Sequence, residues 1–130
     1  MADGAPAAVP AEPRLTVQLF GYRDSRPTQQ AIRFFRERRV AVTFVDLGQR
    51  PLARGELQRF SQKFGADRLL DVEGKAYRDA GLGYMRLDAA DIFERVLSNH
   101  RLLNLPLVRS GNQLTVGVDE AAWRGWLARP

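Results

Sequence analysis

Cysteine is absent from this chain of 130 residues. Without a thiol, disulfide bonds, thiolate metal sites and cysteine nucleophiles are all excluded. Histidine is almost as scarce, because His100 is the only one. A histidine zinc site or a Ser-His-Asp hydrolase therefore has little support, and we predict no metal site. His100 follows an amphipathic stretch, so we expect it to be exposed to solvent or to cap the C-terminal end of a helix.

Long apolar runs are also missing, since no segment approaches the roughly 18 consecutive apolar residues of a membrane-spanning helix. The first residues are rich in alanine and proline, and they lack the basic start and apolar centre of a signal peptide. We therefore predict a disordered tail over residues 1–13 and a single domain over residues 14–130. We expect a monomer in the cytoplasm that does not bind membranes.

Lysine is scarce too, with Lys63 and Lys75 as the only two, so arginine supplies most of the positive side of the net charge of +5. An excess of positive charge favours nucleic acids, acidic protein surfaces or small anions as partners. The chain has no run of five basic residues and no nucleic-acid-binding motif. Direct binding to nucleic acid is therefore not predicted, whereas an acidic protein or a small anion stays open.

A strand, a helix and a second strand are predicted in the first third of the chain. Leu15–Phe20 and Val40–Leu47 are rich in β-branched and aromatic residues, which is typical of strands. Gln29–Arg39 has helical spacing of its apolar residues, and Pro27 suits a first helical turn. Two strands joined by a helix pair in parallel through a right-handed crossover, so this region predicts a β-α-β unit.

A helical insertion, a hairpin and a last helix are predicted next. Asp88 and Asp91 have the spacing of a capping box, and Ser110–Asn112 is a short turn between two strands. Trp123 and Trp126 lie about one helical turn apart and are expected to pack in the core. The predicted elements are helices over residues 53–64, 68–72, 76–80 and 88–99, strands over 105–109 and 113–117, and a helix over 119–128.

This order predicts an α/β protein with a thioredoxin-like fold, made of β-α-β, a helical insertion over about residues 53–99, and β-β-α. Four segments are also similar, in sequence and in order, to a known family: Leu19–Gly21, Leu69–Arg78, Asn99–Val108 and Val116–Trp123. On these segments the chain resembles the ArsC family of arsenate reductases, together with the regulator Spx and the YffB-type proteins. The resemblance implies an ArsC-type thioredoxin-like fold.

Serine occupies the position of the family's catalytic cysteine. In the family this cysteine lies four residues after the glycine that ends the first strand, and here Ser25 lies four residues after Gly21. Thr28 occupies the second position of the Cys-x-x-Cys pair found in some members. A serine hydroxyl is far less acidic than a thiol, and it cannot form sulfur–arsenic or sulfur–sulfur bonds. The resemblance therefore implies a pseudoenzyme for thiol redox chemistry.

The arginines that bind oxyanions in the family are altered as well. The resemblance implies a cis-proline at Pro106, but the residue before it is Leu105, where the family has an arginine. A further family arginine, in the insertion, falls at Asp67 or at Arg68, and Arg68 stays a candidate ligand. The groove beside Pro106 is a candidate site for an extended peptide or a thiol.

The sequence leaves two interpretations of Ser25 open. In the first, Ser25 or its neighbour Asp24 is a plain N-cap of the helix. In the second, the Ser25 hydroxyl donates a hydrogen bond to a bound small thiol such as glutathione. Arg23 and Arg26 flank Ser25 and, with Thr28, are candidate anion ligands at the helix N-terminus. The alternative for both arginines is that they are solvated loop charges.

Two functions follow from these interpretations. The favoured one is a binding or regulatory module without thiol redox chemistry and without a cofactor. By resemblance to Spx, its partner would be the RNA polymerase α-subunit. The alternative is a reductase or transferase that depends on a glutathione-like thiol oriented by Ser25. Whether the protein is an enzyme stays open, and arsenate reduction by its own side chains ranks below both functions.

Overall fold

Helices and strands follow one another in the order that the sequence predicts. The computed structural model describes residues 15–128, so the predicted tail of residues 1–13 lies outside the described residues. The elements are β1 (Thr16–Gly21), α1 (Arg26–Glu37), β2 (Ala41–Asp46), α2 (Arg54–Phe64), α3 (Ala66–Leu69), α4 (Lys75–Asp79), α5 (Ala89–Ser98), β3 (Leu107–Ser110), β4 (Gln113–Val116) and α6 (Glu120–Ala128). Short 3-10 helices span Leu82–Tyr84 and His100–Leu102. Within the described range, no helix is both long and apolar enough to cross a membrane.

The four strands form one mixed sheet in the order β2-β1-β3-β4. β1 and β2 are parallel, and their last residues, Gly21 and Asp46, lie opposite each other. β3 pairs antiparallel with β1, and β3 and β4 form the predicted hairpin. Because β1 and β2 are parallel, the loops that follow them lie at the same end of the sheet.

One face of the sheet is covered by α1 and α6, which share an aromatic core. The Phe34 and Phe35 rings lie 5.3 Å and 5.0 Å from the Trp123 ring, measured between ring centroids. Trp123 is fully buried, and its indole N–H donates a hydrogen bond of 2.8 Å to the Thr115 hydroxyl. Trp126 is also buried. The prediction that both tryptophans pack in the core is therefore confirmed.

The opposite face of the sheet is covered by the helical insertion. Leu57 and Phe60 of α2, Leu69 of α3 and Val96 of α5 are fully buried there. The Phe60 ring meets the Phe20 ring of β1 edge-to-face, with 6.4 Å between centroids. The insertion is therefore part of the hydrophobic core rather than a surface appendage.

His100 directly follows the insertion, and the expectation that it is exposed to solvent is wrong, since only 8% of its surface is accessible. Its Nε2 atom accepts a hydrogen bond of 2.9 Å from the Leu52 N–H. Its Nδ1 atom lies 3.0 Å from the Val96 carbonyl oxygen, in the last turn of α5. The alternative expectation, a C-terminal cap, is correct. The imidazole also satisfies a buried amide just before α2.

Several boundaries differ from the predicted ones. α1 begins at Arg26 rather than at residue 29, because Ser25 caps it and Pro27 fits the first turn. The hairpin begins at Leu107 rather than at residue 105, because Pro106 has no N–H for a ladder hydrogen bond. The two short helices lie over 66–69 and 75–79, slightly earlier than predicted.

Candidate functional site

Ser25 is delivered to the start of α1 by a tight turn. Its backbone N–H donates to the Tyr22 carbonyl oxygen at 3.1 Å, and its own carbonyl accepts from the Gln29 N–H at 3.0 Å. Its backbone is extended, with φ −82° and ψ 121°, and its hydroxyl oxygen accepts from the Thr28 N–H at 3.3 Å. Ser25 rather than Asp24 is therefore the N-cap, and its side chain is half-buried.

The first turn of α1 carries no acidic residue. Its first residues are Arg26 and Pro27, and Arg26 is exposed. The unpaired N–H groups and the helix dipole make a helix N-terminus partly positive. This end of α1 therefore keeps the electrostatic character that stabilises a thiolate or another anion.

Thr28 lies beneath this turn and contacts the end of β1. It is fully buried, and its hydroxyl oxygen has no hydrogen-bond partner among the described residues. A Cβ atom placed on Gly21 would collide with that oxygen. Gly21 is therefore required by the close approach of Thr28. The predicted anion ligand Thr28 faces the protein interior rather than solvent.

Arg23 is held by a carboxylate at the end of β2. Its Nε atom donates to the Asp46 Oδ2 atom at 2.9 Å, and its guanidinium carbon lies 5.8 Å from the centroid of the Phe44 ring. The parallel register that sets Gly21 opposite Asp46 brings this pair together. Arg23 therefore reaches sideways to β2, where the Asp46 carboxylate balances its charge.

Asp24, Arg101 and Tyr22 form a second cluster beside Ser25. An Arg101 Nη1 atom donates to the Asp24 Oδ1 atom at 2.8 Å, and the guanidinium carbon lies 3.6 Å from the centroid of the Tyr22 ring. The hydrogen bond from Arg101 lowers the pKa of Asp24, although the carboxyl is exposed. Partial burial raises the pKa of Tyr22. The carboxylate neutralises the arginine that lies nearest to the loop.

Pro106 is buried, and the peptide bond between Leu105 and Pro106 is cis. Its carbonyl oxygen accepts from the Gly117 N–H at 2.9 Å, which fastens the start of the hairpin to the residue that follows it. Asn104, two residues earlier, donates from its backbone N–H to the Leu69 carbonyl at 2.7 Å. The half-buried Leu105 side chain packs against the insertion core.

Arg68 lies in α3, and its side chain is exposed. Its guanidinium carbon is 5.3 Å from the centroid of the Phe64 ring. Asp67, the alternative position for the family's arginine, is also exposed. Within residues 15–128, neither side chain forms a hydrogen bond to the loop around Ser25. Ser25 and Arg26 thus lie at the start of α1, Arg23 pairs with Asp46, and Arg68 contacts Phe64.

Among residues 15–128, the one hydrogen bond of the Ser25 side chain is to the Thr28 N–H. A serine nucleophile needs an adjacent base, and both ring nitrogens of His100 are hydrogen-bonded to backbone groups of Leu52 and Val96. In the described part of the chain, no group of three histidine or acidic residues is placed to hold a metal ion. What the site provides is a positive helix end, a hydroxyl group and paired arginines.

Sequence reasoning missed Asp46, which pairs with the candidate ligand Arg23, and Arg101, which pairs with Asp24 beside Ser25. A parallel β-α-β unit brings the ends of its two strands together, so Asp46 was open to prediction from the strand lengths. Arg101 has no such signal, because it lies 77 residues from Asp24. Only the three-dimensional fold brings these two side chains together.

One comparison with known proteins identifies a family. The model of the ArsC family matches residues 20–126. No significant match is found among curated proteins. Within the described residues, the matched range includes Ser25, Pro106 and the whole insertion.

Solved structures have the same fold. A YffB protein superposes with a TM-score of 0.79 at 24% identity, covering 86% of this chain and 99% of its own. An ArsC-family-related protein from Bacteroides fragilis gives 0.72 at 16% identity, covering 84% and 95%. An arsenate reductase from Vibrio cholerae gives 0.68 at 15% identity, covering 80% and 91%. The predicted ArsC-type thioredoxin-like fold is therefore confirmed.

Proposed function

The chain belongs to the ArsC family, and we propose that it acts as a binding or regulatory module without thiol redox chemistry. The observation that carries the proposal is the role of Ser25. Its hydroxyl oxygen accepts the Thr28 N–H and so caps α1, where the family has a nucleophilic sulfur. A chain with no cysteine has no other thiol to replace it.

The arginines around Ser25 support the same proposal. Arg23 is paired with Asp46 and Arg101 with Asp24, so two of the positive charges nearest the loop already have partners. Arg26 adds a positive charge at the start of α1. Before Pro106, where the family has an arginine, this chain has Leu105. A catalytic oxyanion site needs several preorganised donors directed at one point, and here two of the arginines are paired with carboxylates.

The alternative function, use of a bound small thiol such as glutathione, is favoured by one observation. The Ser25 hydroxyl acts only as an acceptor among the described residues, so its proton is available to a sulfur atom placed at the helix end. The first turn of α1 has no carboxylate that would repel a thiolate. In this function Ser25 orients the sulfur, and the chemistry belongs to the bound thiol.

Reductase assays separate the two functions. Arsenate and disulfide reduction would be measured with glutathione and glutaredoxin for the wild type, Ser25→Ala and Ser25→Cys. Activity in Ser25→Cys alone supports a pseudoenzyme that acts by binding. Activity in the wild type that is lost in Ser25→Ala rejects the binding module and supports the thiol-dependent enzyme.

The partner suggested by the resemblance to Spx is the RNA polymerase α-subunit. We propose a cytoplasmic monomer as the binding form, and the net charge of +5 suits an acidic surface. Titration of the purified polymerase α-subunit into the labelled protein tests this partner directly. A saturable, salt-sensitive complex supports it, and the absence of binding at micromolar concentrations removes it.

A further inference from the structure

The outer edge of β2 is an open sheet edge. β2 is the first strand of the order β2-β1-β3-β4, and no other strand in residues 15–128 pairs with its outer side. Natural edge strands are commonly protected by proline, lysine or a bulge. Ala41–Asp46 has neither proline nor lysine, and its register with β1 is unbroken over all six residues.

The direction of the β2 peptide groups follows from one hydrogen bond. The Leu47 N–H donates to the Gly21 carbonyl of β1 at 2.9 Å. In a parallel pair, alternate residues direct both backbone groups to the neighbouring strand. Thr43 and Val45 therefore face β1, whereas Val42 and Phe44 direct their N–H and C=O groups outward. Asp46 faces outward as well, but its carbonyl oxygen already accepts from the Gln49 and Arg50 N–H groups. Val42 and Phe44 therefore supply the two complete pairs of N–H and C=O groups at the open edge.

A groove with a volume of about 460 Å³ lies between α1 and the Phe44 side chain of β2. Half-buried Ile32 and Phe44 supply its apolar floor, and both pack against the α1–α6 core. The ring of Phe44 thus lines the groove, while its backbone faces the open edge. One position therefore offers an apolar contact and two hydrogen-bonding groups.

The rim of the groove is basic. Arg33 and Arg36 of α1 are exposed and have no carboxylate partner among the described residues, and Arg23 lies over Phe44. Glu37 is the only acidic residue that lines the groove, and it lies 3.9 Å from Arg38. Asp46 pairs with Arg23, so the excess positive charge at the rim comes from Arg33 and Arg36.

We propose that the β2 edge binds an extended acidic segment of a partner protein, which adds as a fifth strand to the sheet. The backbone of the segment pairs with Val42 and Phe44, as in other cases of strand addition. An apolar side chain of the segment rests on Ile32 and Phe44. Carboxylates on either side of it reach Arg33 and Arg36. This inference rests on the proposed function, because it names the chemistry of the partner of a binding module.

The charge selects this occupant over a second copy of the chain. Pairing of two β2 edges would bring the α1 helices of both copies side by side, with Arg33 and Arg36 facing their counterparts. Like charges placed opposite each other destabilise an interface. An acidic segment neutralises the same charges.

The test uses the full chain and a short capped peptide in which threonines alternate with glutamate, phenylalanine and a second glutamate. This pattern puts the phenylalanine and both glutamates on one face of a strand and the threonines on the other. Backbone NMR titration is expected to shift the amides of Val42 and Phe44. Replacing both glutamates by lysine in the peptide should abolish the shifts, and high salt should weaken them.

Two variants locate the contact. Val42→Pro removes an outward N–H, which an edge strand tolerates, and it should weaken binding about tenfold or more. Arg33→Glu/Arg36→Glu should do the same, whereas Arg59→Glu/Arg86→Glu, an equal charge change at exposed sites off the groove, should leave binding within about twofold.

Several results would overturn the proposal. These are no shift at millimolar peptide, equal binding by the lysine peptide, or equal losses in the two charge variants. A dimer in sedimentation that Val42→Pro abolishes would assign the edge to a second copy. Shifts at Val42 and Phe44 on deleting residues 1–14 would assign it to the N-terminal segment. None of these results depends on the reductase assays, so failure here and failure of the proposed function can be told apart.

Discussion

The N-termini of α1 and α5 are capped in different ways. At α5, Asp88 Oδ1 accepts from the Asp91 N–H at 2.8 Å, and Asp91 Oδ2 accepts from the Asp88 N–H at 3.3 Å. Two carboxylates therefore complement the positive end of that helix. At α1, the single cap is the neutral Ser25 hydroxyl at 3.3 Å, and the following residue is Arg26.

Both helices bury apolar side chains, so the difference lies in the charge at their N-termini. α5 is part of the insertion, buries Ile92, Phe93 and Val96, and also has a carboxylate cap. α1 buries Ala31, Phe34 and Phe35 in the core, and Thr28 under its first turn. Burial of these side chains holds the helix without help from a carboxylate. The start of α1 can therefore stay positive and available, although the family's cysteine has gone.

The largest expected effect comes from breaking the burial that holds α1. Gly21→Ala places a Cβ atom against Thr28 and should lower the free energy of unfolding by about 2–3 kcal/mol through overpacking. Thr28→Ala in the same chain removes the clashing atoms and should recover more than half of the loss. Denaturant unfolding of both single variants and the double variant measures this coupling. Additive effects in the double variant would contradict the contact.

Removal of each cap sharpens the comparison directly. Asp88→Ala deletes the N-cap side chain of the capping box and should cost about 1–2 kcal/mol, whereas Ser25→Ala should cost at most about 1 kcal/mol. Chemical denaturation of the two variants under one buffer gives the ranking. A larger loss for Ser25→Ala would mean that the hydroxyl does more for α1 than its one long hydrogen bond indicates.

Exchange of cap types should invert the comparison. Ser25→Asp gives α1 a carboxylate and is expected to raise the free energy of unfolding by about 0.5 kcal/mol through the helix dipole. Asp88→Ser, the matched change at α5, should lower it by a similar amount. Both effects should shrink at high salt. Thermal unfolding at two ionic strengths tests this. Destabilisation by Ser25→Asp would show that Asp24 already supplies the negative charge that the N-terminus of α1 can accommodate.

The smallest effect concerns the acid beside the α1 cap. Arg101→Gln removes the hydrogen bond that lowers the pKa of Asp24, so that pKa should rise toward the ordinary aspartate range. A lowered folded-state pKa contributes stability above the unfolded pKa, and this is lost as the pH falls through the folded value. The wild type should therefore keep Asp24 ionised to lower pH than the variant. NMR titration of the Asp24 carboxyl in both proteins measures this difference. Equal pKa values in the wild type and the variant would contradict the pairing of Asp24 with Arg101.

Local patterns predicted the elements and one of the two caps in full. Spacing alone identified the capping box of Asp88 and Asp91, because both partners lie in one helical turn. Alternation and turn residues identified the parallel unit and the hairpin. The choice between Ser25 and Asp24 depended on the turn geometry of the Tyr22–Ser25 segment, which the sequence did not determine.

The electrostatic surroundings of the site were harder to predict for a physical reason. Arg101 meets Asp24 across 77 residues of chain, and Arg23 meets Asp46 only through the strand register. His100 was misjudged for the same reason, since its partner Leu52 lies 48 residues away. Pairs of this kind depend on tertiary packing, which no local periodicity encodes.

The hydrogen bonds of His100 have a consequence for the proton on its ring. The Leu52 N–H needs an acceptor and the Val96 carbonyl needs a donor, so the ring must keep its proton on Nδ1 and leave Nε2 bare. A ring flip would direct carbon atoms at both partners. The imidazole is therefore fixed as a single tautomer in a single orientation. In this position the imidazole accepts a hydrogen bond from Leu52, before α2, and donates one to Val96 in α5, and so it links the two ends of the insertion.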